Sequence, residues 1–163
     1  MGFGQKINLS IAAIVFTLVA GQGSAQECAT HAISLRGDWG QARFSIEIAD
    51  NGPERAQGLM NREQMARTSG MLFIYEAPQS VAFWMRNTLI PLDMIFIDPT
   101  GAVASVHENA VPLDETAIPG GRNIQYVLEI NGGMSKLLGI SVGSQVLHPE
   151  IDQKIAVWRC EVQ

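Results

Sequence analysis

The chain has no cluster of basic side chains. Its 11 lysines and arginines are scattered and outweighed by 16 aspartates and glutamates, for a net charge of −5. Proteins that bind nucleic acids or anionic membranes do so largely by neutralising phosphates, so neither is expected as a partner. Histidine is scarce: His31, His107 and His148 stand isolated, without the close ligand spacing that a metal site takes. No metal and no cofactor is therefore expected. The HExxH pair and the Gly-rich phosphate loop are missing too, so a familiar catalytic constellation is not the first expectation. There is no internal repeat, low-complexity tract or linker, which leaves a single mature domain.

Long apolar runs are confined to the start. Lys6 is followed by the mostly apolar Ile7–Ala20, then by small residues including Gly23 and Ala25. That order is the physical pattern of a signal peptide, expected over residues 1–25 with cleavage after Ala25. The run is shorter than the ~20 residues that span a bilayer, so no stable membrane insertion is expected after cleavage. Gln26 and Glu27 before Cys28 are the wrong context for lipid attachment. The mature chain, residues 26–163, then holds two cysteines, Cys28 and Cys160, near its opposite ends. In an oxidising periplasmic or extracellular compartment such a pair is expected to form a disulfide.

The rest of the chain alternates short β-forming runs with turn signals. Gln41 to Ala49 alternates Phe44, Ile46 and Ile48 against Arg43, Ser45 and Glu47, the period of a half-buried strand. Asp50-Asn51-Gly52-Pro53 stops it and opens a helix through Glu54 to Leu59, with a second short turn expected over Arg62 to Ala66. Further strands are expected at 71–75, 81–86, 93–97, 103–108, 124–130 and 142–148, with a short helix at 133–138 ending at Gly139. The segment Asn109 to Gly121 reads as the longest loop, and the tail 154–162 as one more strand pinned by Cys160. The fold class expected is α+β: a single compact β-rich domain with an antiparallel, bent or barrel-like sheet and two short helices.

The residues between Glu54 and Asp98 are unusually particular. The blocks Arg55…Gly58-Leu59-Met60…Arg62, Gly70-Met71-Leu72-Phe73, Phe83-Trp84-Met85-Arg86-Asn87-Thr88 and Ile90-Pro91-Leu92-Asp93 closely resemble domain-of-unknown-function family 192. The likeness continues through Phe96-Ile97-Asp98…Gly101 and Val127-Leu128-Glu129…Gly132, over a family core of about residues 42–148. It implies a compact β-rich domain, often exported in bacteria, with no established reaction or ligand. The two cysteine segments lie outside the shared core.

Candidate site residues follow from polar side chains set among apolar strands. Asn87 and Thr88 precede the Ile90-Pro91 break, where they serve either a ligand or a turn backbone. Trp84 is a core anchor or a stacking platform. Arg55, Arg62, Arg86 and Arg122 match the geometry of an anionic ligand, though a solvated helix face explains the first two as well. Asp93 and Glu129 are carboxylates in apolar strands, and such a group must be exposed, paired or hydrogen-bonded; an arginine or Asn87 is the expected partner of Asp93. His107 stands at the mouth of the long loop.

The leading reading is an exported envelope or periplasmic binding module without catalysis. It would hold a small polar ligand or a segment of an envelope protein, in a cleft between the 83–88 strand end and the 109–121 loop, using Asn87, Thr88, Asp93 and Arg122, with Trp84 and Arg55 beside them. A rival reading is a hydrolase-like enzyme with Asp93, His107 and Glu129 as acid–base groups converging on one pocket. A second alternative is Cu(I) handling by Met60, Met65, Met71, Met85, Met94 and Met134, since thioethers favour that ion. Their alternation with Leu, Phe and Ile fits core packing better.

Overall fold

The computed structural model describes residues 1–2 and 28–161. The expected signal segment, residues 1–25, falls outside them from residue 3 onward, as does the end of the tail from residue 162. Seven strands build one curled, half-barrel sheet: β1 (Ala32–Gly37), β2 (Gly40–Ala49), β3 (Ser69–Phe83), β4 (Leu92–Ile97), β5 (Val103–Ala110), β6 (Ile118–Asn131) and β7 (Gln145–Leu147). Two short helices, α1 (Gly52–Gln57) and α2 (Met134–Leu138), complete the domain. The spatial order is β5-β4-β6-β3-β2-β1-β7. Neighbours run antiparallel except β2 and β3, which α1 joins as a parallel pair.

Alternation explains how one sheet carries two cores. On one face Leu72, Ile95, Ile97, Leu128 and Ile130 pack with Ile33, Leu35 and Phe44. On the other, Met71, Phe73, Met94, Phe96 and Val127 pack with Leu59, Met85 and Ile118. Every residue of β4 is buried, because both its faces are covered, which is why its sequence is a continuous apolar run broken only by Asp93. Long β3 passes through register shifts between Ile74 and Ala82, around exposed Pro78, so what reads as two strands is one bulged and bent strand. Close approach of β3 to β6 requires glycine at position 70: a Cβ there would lie 2.4 Å from the Glu129 carbonyl oxygen.

Helix α1 starts as its sequence suggests, with Asn51 Oδ1 accepting the Glu54 N–H at 3.0 Å and Pro53 in the first turn. Cys28 and Cys160 are bonded, their Cα atoms 5.6 Å apart across a separation of 132 residues. Closing so large a loop contributes about 4–5 kcal/mol in the chain-entropy account. Four local expectations differ from what forms. No strand is expected before Gln41, yet Ala32–Gly37 forms β1 and pairs with both β2 and β7. Residues 62–66 carry a bend at Glu63 and no helical turn. The long loop shrinks, since Ile118–Gly121 already belongs to β6. The tail forms turns instead of a strand, held by Val157 N–H to Thr100 O at 2.9 Å and by the disulfide.

Candidate functional site

The register of the sheet sorts the candidate residues. Glu47, Met71, Glu129, Met94 and His107 lie in one cross-strand row from β2 to β5, so their side chains share a face. Asp93 pairs with Ile130 and projects from the opposite face. The two buried carboxylates therefore cannot meet, and Asp93, His107 and Glu129 do not converge. His107 is exposed on β5, at the edge of the sheet order.

Asp93 is completely buried and fully engaged. Its Oδ1 accepts N–H groups from Asn109 (2.7 Å) and Gly133 (2.8 Å), and its Oδ2 accepts from Ser135 (2.6 Å). These donors are the end of β5 and the start of α2, whose first amides have no partner within the helix. The arginine or Asn87 partner expected for Asp93 is replaced by three backbone amides. Asn87 instead adopts a left-handed turn conformation (φ 53°), and its carbonyl accepts the Asn61 N–H at 2.8 Å. Asparagine tolerates that region well, so its place is explained by the turn. Thr88 is buried and donates its hydroxyl to the Arg86 carbonyl at 3.3 Å. Arg122 is exposed within the bulged part of β6.

The expected cleft between the 83–88 segment and the loop is bridged: Met85 N–H bonds Asp114 O at 2.8 Å, and Leu113 N–H bonds Thr88 O at 3.1 Å. A concavity opens on the other side of that segment, against α1. It has a volume of about 110 Å³. Tyr75, Phe83 and Trp84 form an aromatic wall, Leu59 and Met60 an aliphatic one, and Arg55, Thr88 and Glu129 contribute polar groups. Four of the expected site residues thus meet here: Arg55, Trp84, Thr88 and Glu129. The aromatic wall is braced by edge-to-face contacts of Phe83 with Phe73 (5.1 Å) and with Phe96 (5.9 Å).

Glu129 is the unusual member. Only 4% of it is exposed, and its carboxyl accepts no hydrogen bond from any described residue. Burial pushes its pKa up to about 8, so the group is mostly protonated at neutral pH. Burial likewise raises Tyr75, with Arg55 pulling the other way and Glu129 adding to the rise. Arg55 stands 5.1 Å over the Tyr75 ring, with its guanidinium committed to Asp50 O (2.6 Å), Ile74 O (2.7 Å) and Glu76 (3.2 Å). Arg62 makes a bidentate pair with Glu47, and Arg86 lies over Trp84 at 5.7 Å, so the arginines do not gather around one anion.

A larger hollow of about 570 Å³ lies between the β1–β2 hairpin and Ser141–Gln145. Its main polar groups already serve one another: Trp39 Nε1 donates to Ser144 Oγ at 3.0 Å, and Arg36 Nε to Gln145 Oε1 at 2.9 Å. Gly139 to Gly143 in that hollow carries the Gly-x-Ser-x-Gly spacing of a nucleophile elbow, but an elbow turns from strand to helix. Here the segment leads from α2 towards β7, the reverse order. Among the described residues no group of three or more His, Cys, Asp or Glu is placed to hold a metal ion, and no helix is long and apolar enough to cross a membrane.

Sequence reasoning missed Tyr75, Phe83 and Met60 as pocket residues. The signal for the first two was an aromatic on each side of the Pro78 bulge, which reads equally well as core.

Comparison with known proteins agrees with this architecture. A crystal structure of a protein from Sinorhizobium meliloti, named as a candidate transcription regulator, superposes with a TM-score of 0.70 at 40% identity, covering 74% of this chain and 95% of that one. A protein of unknown function from Novosphingobium aromaticivorans gives a TM-score of 0.70 at 38% identity, covering 88% and 99%. No curated protein matches the chain. The family model DUF192, described as an uncharacterized ACR, matches residues 33–148, and this chain belongs to that family.

Proposed function

We propose that this protein is an exported module of the cell envelope that binds a small ligand in the pocket between α1 and the Phe83–Trp84 end of β3, without catalysis of its own. One observation carries the reading: the Glu129 carboxyl, only 4% exposed, lines that pocket and pairs with no described residue. A ligand that pairs with this desolvated carboxyl supplies a hydrogen bond or charge partner that the described protein groups do not. The Cys28–Cys160 bridge and the apolar N-terminal segment support export. The hydrolase reading loses its geometry because Asp93 faces away from Glu129. The copper reading finds Met60 on the pocket wall, while Met71, Met85 and Met94 are packed into the core. The regulator label of the Sinorhizobium protein does not carry over to DNA binding here, given 16 acidic against 11 basic residues.

Thermal-shift screening of the mature, disulfide-bonded protein against small polar and charged compounds tests this reading. At least one compound class is expected to raise the Tm of the parent and not of Trp84→Ala. Equal responses from parent and variant would place the site elsewhere.

A further inference from the structure

We infer that the pocket takes the head of a small organic cation, an alkylated or methylated ammonium, with Glu129 as its counter-ion and the Tyr75, Phe83 and Trp84 rings as its cage. The inference rests on the binding reading above and names the chemistry of its ligand. Three observations lead to it. First, Glu129 is a lone buried carboxyl at the pocket, and no described cation reaches it. The nearest arginine in the lining, Arg55, is spent on two carbonyls and Glu76, so its charge is already matched.

Second, the walls are aromatic rings and a thioether. Ring faces carry negative quadrupole potential and attract a desolvated cation. The fold already uses this attraction twice beside the pocket, with Arg55 over Tyr75 and Arg86 over Trp84. Third, the remaining polar groups are poorly placed for a ligand rich in hydroxyls or amides. Thr88 serves the Arg86 carbonyl, and Gln57 Nε2 reaches the Met60 carbonyl at 3.4 Å. An anion would find no uncommitted guanidinium in the lining and would meet the Glu129 carboxyl. A volume of about 110 Å³ admits a head group of a few heavy atoms.

Binding a cation ionises Glu129, so one proton leaves as the ligand enters. The charged and titratable groups that share the pocket or the cross-strand row with Glu129 are Tyr75 on β3, Arg55 on α1, and Glu47 and His107 at the ends of that row. Arg55 pairs with Glu76, and Glu47 pairs with Arg62. His107 lies beyond Met94 on an exposed strand, and Asp93 points to the other face.

The test is an NMR titration of the mature protein with trimethylammonium chloride and, as its neutral counterpart, tert-butanol. The Trp84 indole N–H and the Met60 methyl report on the pocket. Trimethylammonium is expected to shift both signals saturably, at least tenfold more tightly than the alcohol. Its affinity should rise close to tenfold per pH unit from pH 6 towards the Glu129 titration at about 8, then level off. Glu129→Gln, isosteric with the protonated acid and expected to fold, should erase both the cation preference and the pH slope. If tert-butanol binds as tightly as the cation, or Glu129→Gln leaves the preference intact, the cation assignment is overturned while the pocket stands. If neither molecule shifts Trp84 and Met60, the pocket itself is wrong and the inference falls with it.

Discussion

Asp93 and Glu129 are two carboxylates buried in adjacent strands of the same sheet, one residue apart in register and on opposite faces. One is held by three backbone amides and the other by nothing described. The contrast separates two uses of a buried carboxyl group. Asp93 gathers the end of β5 and the start of α2 around one side chain, satisfying amides that those elements leave open. Its neighbour keeps its hydrogen-bonding capacity unspent, facing a cavity lined with rings. A fold tolerates the first because each partner is supplied internally. The second, desolvated and paired with no described group, is the feature on which the proposed pocket rests.

The largest effect that would break this contrast is at Asp93. Asp93→Ala strips acceptors from three amides and should cost on the order of 4 kcal/mol, read as a shift of the urea midpoint. Asp93→Asn keeps one carbonyl oxygen and should cost about half as much. A loss under about 1 kcal/mol for the alanine variant would mean that water replaces the carboxylate freely.

The next effect is the pH dependence that Glu129 imposes. Its folded pKa of about 8 lies above the ordinary 4.5, so between those values the folded protein holds a proton that the unfolded chain has released. Stability from this group is therefore full below about 4.5, declines as pH rises towards about 8, and is flat beyond. The slope is about 1.4 kcal/mol per pH unit, or on the order of 3 kcal/mol between pH 5 and pH 7.5. Buried His148 acts with the opposite sign. Burial lowers its pKa, and its Nδ1 accepts the Glu150 N–H at 3.3 Å, leaving Nε2 as the donor towards Thr30 O at 3.0 Å. It loses stability as pH falls below its ordinary 6.5. Subtracting the unfolding curves of Glu129→Gln from those of the parent cancels the histidine and isolates Glu129. A flat difference curve would mean that the carboxyl is solvated.

The smallest expected effect belongs to Ser135, whose amide serves Asp93 while its own buried hydroxyl has no partner. Ser135→Ala keeps the amide and removes the orphan hydroxyl, so stability should be unchanged or up to about 1 kcal/mol higher. A clear destabilisation in the same urea assay would reveal a role for the hydroxyl and blur the view that Asp93 is held by backbone alone.

Much of the sheet was legible because its alternation is strict. Phe44 and Ile46 against Arg43 and Ser45 identify β2, and the unbroken run around Met94–Ile97 identifies a strand covered on both faces. Local chemistry also placed the start of α1 at Asp50–Pro53, where Asn51 proves to be the cap. The site was harder. That Asp93 and Glu129 were polar intruders in apolar strands could be read directly. Which of them would find partners could not, because the amides that hold Asp93 come from 16, 40 and 42 residues downstream. The pocket likewise joins α1 to the far end of β3 through a bulge that no local pattern announces. The tail failed for a similar reason. Its order comes from Cys160 and from long-range contacts with Thr100, not from a ladder that period-two alternation would reveal.

The Cys28–Cys160 bridge has a mechanical consequence. It joins the first and nearly the last described residues of the domain, so tension applied to the two ends runs through one covalent link and bypasses the sheet. Stretched between two attachment points, the oxidised protein should behave as a short inextensible tether whose pocket stays intact under load. Only after reduction would the pull reach β1 and β7 and begin to peel the sheet from its edge.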